Sequence, residues 1–419
     1  MAVPVSLMMD MFDTTRRTLV VGLGKTGLSV ARFLSQRGVA VAIVDSRENP
    51  PALESLRTEL PADVALFLGG FKAEAFERAE QVIVSPGVSV KEPQIAAAAS
   101  RGIPVIGDVE LFAQLITAPV VAITGSNGKS TVTTLLNAMA QSAGKDVRMG
   151  ANIGTPALEL IGDREPDLYV LELSSFQLET TFSLRPAAAV VLNISADHMD
   201  RYADLDAYST VKRSIYRNAA IQVVNADDPL VARLAYPDNP QIRYTMGKPA
   251  AGEYGLCDYQ GVSWLARGDE PIMPVSGIRM DGRHNVSNTL AALALGEAAG
   301  LARDAMIEAI NEFRGLPHRM QLVAHQAGIR WYNDSKGTNV GATLAAIDSA
   351  EGRVVLIAGG DAKGADLAPL APAMRLKGRV SADQDGAADT RGAADHRPAR
   401  TGRRHAGGGG VGCPDGAAR

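Results

Sequence analysis

The run Thr124-Gly125-Ser126-Asn127-Gly128-Lys129-Ser130-Thr131 sets a lysine and a hydroxyl directly behind a glycine-rich turn. Between an apolar strand and a helix, such a turn points backbone N–H groups at phosphate. Lys129 would neutralise the outer phosphates, and the Ser130 hydroxyl would reach a magnesium ion. The strict phosphate-loop spacing has a further glycine five residues before Gly128, where this chain has Ile123, so the loop is a shortened variant. A chance Gly-Lys-Ser in an ordinary turn is the competing reading, and the flanking strand and helix weigh against it. A second run, Gly22-Leu23-Gly24-Lys25-Thr26-Gly27, follows the apolar Leu19-Val20-Val21 and opens a helical pattern over 28–37. Asp45 closes the next strand, 39–44, near the spacing of about 20 residues found in dinucleotide folds. This motif indicates a nucleotide without saying which one.

These groups need a scaffold, and the pattern around them supplies it. Apolar strands are expected at 120–123, 168–171, 188–192 and 221–224, with helices at 131–143 and 285–300. Each strand ends in polar residues: Glu172, Asn193, and the run Asn225-Ala226-Asp227-Asp228. In open α/β sheets, ligands collect beyond the C-terminal ends of the strands, so these polar ends are where chemistry is expected. A further strand-helix-strand pattern runs through 329–332, 340–347 and 354–358. The fold class is therefore α/β with parallel sheets. At ~150 residues per domain, 419 residues suit three domains. We place a Rossmann-like unit at 1–107, a phosphate-loop unit at 108–315 and a partial third unit at 316–380. From 381 to 419 there is no Leu, Ile, Met, Phe, Tyr or Trp. That tail cannot bury a core and is expected to be disordered; its Ala, Gly, Arg, Asp and Pro are what a GC-rich gene read out of frame encodes.

Bulk properties exclude several classes. Net charge is −4, which argues against broad nucleic-acid binding. Cys257 and Cys413 are the only cysteines, too few for a disulfide framework and suited to a reducing cytoplasm. The N-terminus lacks a basic start, and no run of ~18 apolar residues suggests a membrane span.

The shortened loop resembles that of the Mur ligases and the folylpolyglutamate synthetases. Further segments resemble the D-glutamate-adding members of the Mur ligase family: Glu172-Leu173-Ser174-Ser175-Phe176-Gln177-Leu178-Glu179, the segment 193–202, His284-Asn285-Val286-Ser287-Asn288, Leu316-Pro317-His318-Arg319 and Asn333-Asp334-Ser335-Lys336-Gly337-Thr338-Asn339. The resemblance runs from about residue 19 to about residue 380. It implies an ATP- and Mg²⁺-dependent ligase that adds D-glutamate to UDP-N-acetylmuramoyl-L-alanine, working as a cytoplasmic monomer. A carboxylate is a poor acyl donor, and phosphorylation gives it a good leaving group that an amine can displace.

By the same resemblance, the first glycine run holds the uridine nucleotide of the substrate rather than NAD. Gly24, Lys25, Thr26, Ser46, Arg47, Gly87 and Asn152 are its expected contacts. Gly125, Ser126, Asn127, Gly128, Lys129, Ser130 and Thr131 would hold ATP, with Asn288 at adenine and Arg319 and Asp334 at ribose and phosphate. Lys336 would face the transferring phosphate, and Thr338 and Lys363 would contact D-glutamate. Ser130 and Glu172 would hold one metal; His198 and a carbamylated Lys212 would address a second. Read without the family, Glu172 is a cap or surface carboxylate, His198 a structural histidine, and Lys212 a solvated charge on a helix over 205–219. Past residue 380 the family pattern is absent, so the third unit and its amino-acid pocket are expected to be incomplete. A folylpolyglutamate synthetase would lack the first unit, an NAD dehydrogenase would leave the phosphate loop unexplained, and a nucleotide-binding remnant would bind without turnover.

Overall fold

The computed structural model describes residues 15–62, 64–350, 352–360 and 366–382, without the side chains of 378–382. The first sheet contains β1 (Thr18–Val21), β2 (Val41–Val44), β3 (Ala65–Phe67), β4 (Gln81–Val84) and β5 (Val105–Ile106). Its order is β3-β2-β1-β4-β5, with every pair parallel. Side chains alternate between the two faces of a strand. Here both faces are covered: Val20, Ile43 and Ile83 pack with Leu28, Ala31 and Leu34 on one side. Leu19, Val21, Val82 and Val84 pack with Phe76 and Ile95 on the other. That explains why these strands read as unbroken apolar runs. The helix Lys25–Ser35 starts tight against β1, because a Cβ on Gly27 would lie 1.9 Å from the Gly22 carbonyl oxygen.

The second sheet has nine strands: β6 (Val120–Thr124), β7 (Val147–Ala151), β8 (Leu168–Glu172), β9 (Ala188–Val191), β10 (Ile221–Asn225), β11 (Gln241–Tyr244), β12 (Tyr254–Tyr259), β13 (Val262–Arg267) and β14 (Glu270–Pro274). The order β14-β13-β12-β11-β10-β9-β6-β8-β7 puts β6 where the winding reverses. The crevice beyond a reversal point is where open α/β sheets bind ligands. The helices Lys129–Ser142 and Arg283–Ala298 cover one face, burying Leu135, Leu136, Met139, Leu290 and Leu293 against Val121, Ile123, Val170 and Val190. The antiparallel extension β12-β13-β14 was not expected from the sequence. It lies at the sheet edge with exposed positions such as Tyr259 and Val262, so its apolar alternation is weak. Its first turn, Gln260-Gly261, has φ of +54° and +77°, the left-handed pair of a two-residue hairpin.

The two sheets are joined by the helix Asp108–Ala113. Glu110 Oε2 accepts hydrogen bonds from the backbone N–H groups of Phe182 (2.6 Å) and Ser183 (2.8 Å). Asp108 is buried at the same junction, and one of its carboxylate oxygens has no hydrogen-bond partner among the described residues. Burial pushes its pKa up to about 6. A carboxyl raised in the fold contributes stability that is complete below the unfolded value of 3.8 and is lost as pH rises through 6. Replacing Asp108 with Asn is therefore expected to flatten the loss of stability between pH 4 and pH 7, by up to ~3 kcal/mol. Urea midpoints of both proteins at the two pH values measure it; parallel shifts would refute the assignment.

The third region holds the hairpin β15 (Gln321–Gln326) and β16 (Ile329–Asn333), the helix Val340–Ser349, and β17 (Val354–Ala358) paired in parallel with β18 (Gly378–Ala382). Lys377 Nζ donates to the carbonyls of Ile347, Asp348 and Ala350 at the end of that helix, as a cation near a helix C-terminus does. β18 carries regular structure two residues beyond position 380, where the pattern was expected to stop. Among the described residues β17 has one neighbour, and Val355 and Ile357 on it are 68% and 65% exposed. The tail expectation for 383–419 lies outside the described residues, as do Asp63, Glu351 and 361–365 with the expected D-glutamate contact Lys363. Among the described residues, no helix is long and apolar enough to cross a membrane.

Candidate active site

At the end of β6 the chain turns through Gly125 (φ +155°) and Gly128 (φ +83°) into the helix that begins at Lys129. A Cβ on Gly128 would lie 2.5 Å from Asn288 Oδ1, so glycine also permits the close approach of the helix Arg283–Ala298. The loop is pinned from the end of β9. Asn127 N–H donates to Asn193 Oδ1 (2.8 Å), and Asn193 Nδ2 donates to the Asn127 carbonyl (3.0 Å). Ser126 Oγ donates to the Ser195 carbonyl and accepts from Ser195 N–H, each at 2.9 Å.

Two lysines converge on this loop, Lys212 buried and Lys129 half-buried. Lys129 Nζ donates to the carbonyls of Gly125 (2.9 Å) and Ser126 (3.0 Å). Lys212 Nζ donates to the same Gly125 oxygen (3.0 Å) and to Thr124 Oγ1 (3.2 Å). Two ammonium groups sharing one carbonyl oxygen repel each other, and among the described residues neither has a carboxylate as hydrogen-bond acceptor, although the charges of Glu172 and Asp197 act on both. Burial first, then the neighbouring Lys129 charge, holds Lys212 well below the usual lysine range; burial also lowers Lys129. Lys212 is 1% exposed, not the solvated helix charge that its pattern alone suggests. The helix Leu205–Arg213 gives way to the short 3-10 turn Ser214–Tyr216 rather than running to 219, and Lys212 lies on its buried face with Tyr208 and Ser209, one turn back. Lys212 Nζ lies 4.8 Å from the centre of the Tyr208 ring.

Glu172 ends β8 and is 2% exposed. Its Oε1 accepts from Asn152 Nδ2 (2.5 Å), while Oε2 is buried with no hydrogen-bond partner among the described residues. A buried carboxylate oxygen without a hydrogen-bond donor is an open position for a donor or a metal ion. Ser130 Oγ, at the loop, accepts from Arg319 Nη2 (2.8 Å). Carboxylate and hydroxyl oxygens are hard donors that fit Mg²⁺. Among the described residues no group of three His, Cys, Asp or Glu side chains forms a metal cage, and Mg²⁺ needs none when phosphates supply the other ligands. His198 sits on the loop after β9 at φ +57°, its ring 4.7 Å from that of Phe176 and its Nε2 3.7 Å from Asp197 Oδ2.

The third region reaches the loop from the other side. Besides Arg319, Asn339 trades side-chain hydrogen bonds with Asn127 (3.1 and 3.2 Å) while capping the helix Val340–Ser349. Asp334 Oδ1 accepts from Met320 N–H (3.0 Å), and burial raises its pKa. The Lys336 N–H donates to the His318 carbonyl, and Thr338 N–H to that of Lys336. On the first sheet, Gly24, Lys25 and Thr26 follow β1, Ser46 and Arg47 follow β2, and Gly87 follows β4, forming an open shelf at the strand ends. Lys25 Nζ donates to the Gly154 carbonyl of the second sheet's margin (2.5 Å). Asp45 fastens the shelf: it accepts from Leu23 N–H (2.7 Å), Arg47 N–H (2.9 Å) and the Arg47 guanidinium. Burial raises its pKa, but these hydrogen bonds outweigh it and leave the carboxyl below its usual value. Asn152, an expected contact of the uridine nucleotide, donates from Nδ2 to Glu172 Oε1 near the loop. The reading gave no individual role to Asn193, Arg201 or Asn339, although all three lie inside the motifs quoted from the sequence.

Comparison with known proteins adds a lineage. The model described as Mur ligase MurD-like, N-terminal domain, matches residues 16–107, and that for the Mur ligase middle domain matches 123–296. The UDP-N-acetylmuramoylalanine--D-glutamate ligase of Nitrosococcus oceani is 57% identical over 365 residues, 87% of this chain and 80% of that protein. The protein of the same name from Marinobacter nauticus is 50% identical over 366 residues, 87% of this chain and 82% of that one. Among solved structures, the Thermotoga maritima MurF ligase in complex with ADP superposes with a TM-score of 0.55 at 17% identity, covering 89% of this chain and 85% of that one. The UDP-N-acetylmuramate-alanine ligase of the same organism gives 0.54 at 20% identity, covering 88% and 86%. These two likenesses concern the fold.

Proposed function

The chain belongs to the Mur ligase family, and from that membership we propose that it is the ATP-dependent ligase that joins D-glutamate to UDP-N-acetylmuramoyl-L-alanine, acting in the cytoplasm as a monomer. The observation that carries the reading is the crevice at the end of β6. There Lys129, Lys212 and the open oxygen of Glu172 meet beside the end of β8, on a chain 57% identical to a ligase of that name.

The uridine nucleotide rests on the shelf of Gly24, Lys25, Thr26, Ser46, Arg47 and Gly87, which directs its L-alanyl carboxylate toward the loop. The loop N–H groups and Lys129 hold the ATP phosphates, and Arg319 and Asp334 hold the nucleotide from the third region. Asn288 backs the loop beside the adenine. Mg²⁺, held by Ser130 and Glu172, would neutralise charge on the phosphates during transfer. The carboxylate oxygen attacks the γ-phosphorus, and ADP leaves. The amine of D-glutamate, placed by Thr338 and Lys363, then attacks the acyl carbon. A tetrahedral intermediate collapses with loss of phosphate, and the amine proton passes to solvent or to a basic side chain. Because charge builds at one point, fixed cations such as Lys129 and Lys336 lower the barrier. A carbamylated Lys212 and His198 would present an oxygen and a nitrogen to a second Mg²⁺.

The reading is tested by phosphate release from the full chain. Release should require ATP, UDP-N-acetylmuramoyl-L-alanine and D-glutamate together. Release with ATP alone, unaltered by the other two, would refute it. Glu172→Gln keeps the size and the Asn152 contact but removes the charge; it should lower turnover about 100- to 1000-fold and raise the Mg²⁺ concentration needed for half-maximal rate. An unchanged Mg²⁺ requirement would take Glu172 out of the metal site.

A further inference from the structure

Arg201 follows β9 in the same segment as His198, yet its guanidinium reaches the other sheet. Nη1 donates to the Pro86 carbonyl (3.1 Å) and Nη2 to the Val88 carbonyl (3.2 Å), both in the turn after β4. Nε donates to Glu179 Oε1 (3.2 Å), and Nη2 also pairs with Glu179 Oε2. The guanidinium carbon lies 4.3 Å from the centre of the Phe176 ring, the ring that also contacts the His198 imidazole. Arg201 and Glu179 are 12% and 11% exposed, so water does little to screen them.

Both ends of this brace matter to the site. The turn after β4 carries Gly87 of the nucleotide shelf, and Ser85 Oγ ties it to the Gly22 carbonyl (2.7 Å) in the first glycine run. At the other end, the N–H groups of Arg201 (2.9 Å) and Tyr202 (3.2 Å) both donate to the His198 carbonyl. They close a turn in which His198 holds a left-handed backbone that a non-glycine residue adopts only when its surroundings impose it. One side chain therefore joins the shelf that receives the uridine nucleotide to the turn that presents His198.

We propose that Arg201 is a positioning residue: it locks the 85–88 turn onto the 198–202 turn, so that a substrate seated on the first sheet delivers its carboxylate in register with the loop of the second. The proposal rests on the ligase reading above. It depends on the flat, forked guanidinium, which meets two carbonyls, a carboxylate and a ring face at once; a lysine ammonium is a point charge and cannot span them.

Arg201→Lys tests it, because the variant keeps the charge opposite Glu179. In the ligand-free full chain, hydrogen exchange at the Val88 amide, which donates to the Ser85 carbonyl (2.9 Å), should quicken at least tenfold, with the helix Lys129–Ser142 unchanged. In ligation, KM for UDP-N-acetylmuramoyl-L-alanine should rise at least tenfold and kcat should fall, while KM for ATP stays within twofold. A general loosening would move both KM values together, and that result would overturn the positioning role. Unchanged exchange would overturn the brace itself, whatever the substrate. Faster exchange in a protein whose wild type releases no phosphate with the three substrates would instead overturn the ligase reading, and with it the positioning role. If Arg201→Lys does not fold, the double variant Arg201→Gln, Glu179→Gln removes both buried charges and is read by the same measurements.

Discussion

Lys129→Ala is expected to bring phosphate release to background, a loss of at least about 1000-fold, while the affinity for UDP-N-acetylmuramoyl-L-alanine stays within a factor of two. The lysine starts the helix behind β6 and bends back over the loop onto the carbonyls of Gly125 and Ser126. Those two carbonyls hold it where the outer phosphates of ATP would arrive, so incoming oxygens take over bonds that the ammonium already makes to the loop. No other side chain starts from that position. The uridine shelf stands on a different sheet, built on β1, β2 and β4 and fastened by Asp45, so it should not register the loss. Calorimetry of the variant with each nucleotide separates the two effects. Loss of both bindings would show that the sites are not independent and would undo the assignment of shelf and loop to different ligands.

Lys212→Ala should be nearly as severe, about 100- to 1000-fold in turnover, but repairable. Lys212 Nζ and Lys129 Nζ share the Gly125 carbonyl in a buried crevice, with Oε2 of Glu172 open nearby. A buried Lys212 beside the Lys129 charge is costly, and Glu172 and Asp197 offset that cost only in part. Carbamylation changes the sign of one: the neutral amine adds to CO₂ and sheds a proton, leaving a carbamate with one negative charge. That group is an oxygen donor for Mg²⁺, which an ammonium cannot be. Truncation to alanine leaves a space that a short carboxylic acid fits. Acetate should therefore restore part of the activity with saturation, and neutral acetamide should not. Full activity in the alanine variant, or equal rescue by acetamide, would remove Lys212 from the chemistry. A thermal melt of the same variant guards against misfolding as the cause.

Both predictions rest on residues whose importance was legible in very different degrees. Lys129 could be read directly, because strand, glycine turn, lysine and hydroxyl are contiguous and each has a local physical reason. Glu172 could be placed at a strand end, since β8 is an apolar run with a sharp polar stop. Lys212 could not be read from its surroundings. It occupies an amphipathic stretch that looks like any solvated helix, and only a resemblance among distant motifs marked it. The hairpin extension β12-β13-β14 escaped for a related reason: edge strands half-open to water lack the apolar signal that buried strands carry. Arg201 and Asn339 lay inside quoted motifs, but nothing in one dimension says that a guanidinium will cross to Pro86 or that an amide will meet Asn127.

Local patterning alone specified the α/β class, the runs that became β1, β2, β6, β8, β9, β10, β16 and β17, and the two glycine turns. These depend on interactions a few residues apart: alternation, apolar burial on both strand faces, and backbone angles that glycine alone takes easily. The tertiary structure decided the rest. It put β6 at the reversal of the nine-stranded sheet, laid the Tyr208–Lys212 face of a helix against the crevice, set two lysines on one carbonyl, and joined Asn152 to Glu172. Each of those outcomes brings together groups dozens of residues apart. Their energies are set by distance and burial in three dimensions, which residue order alone does not specify.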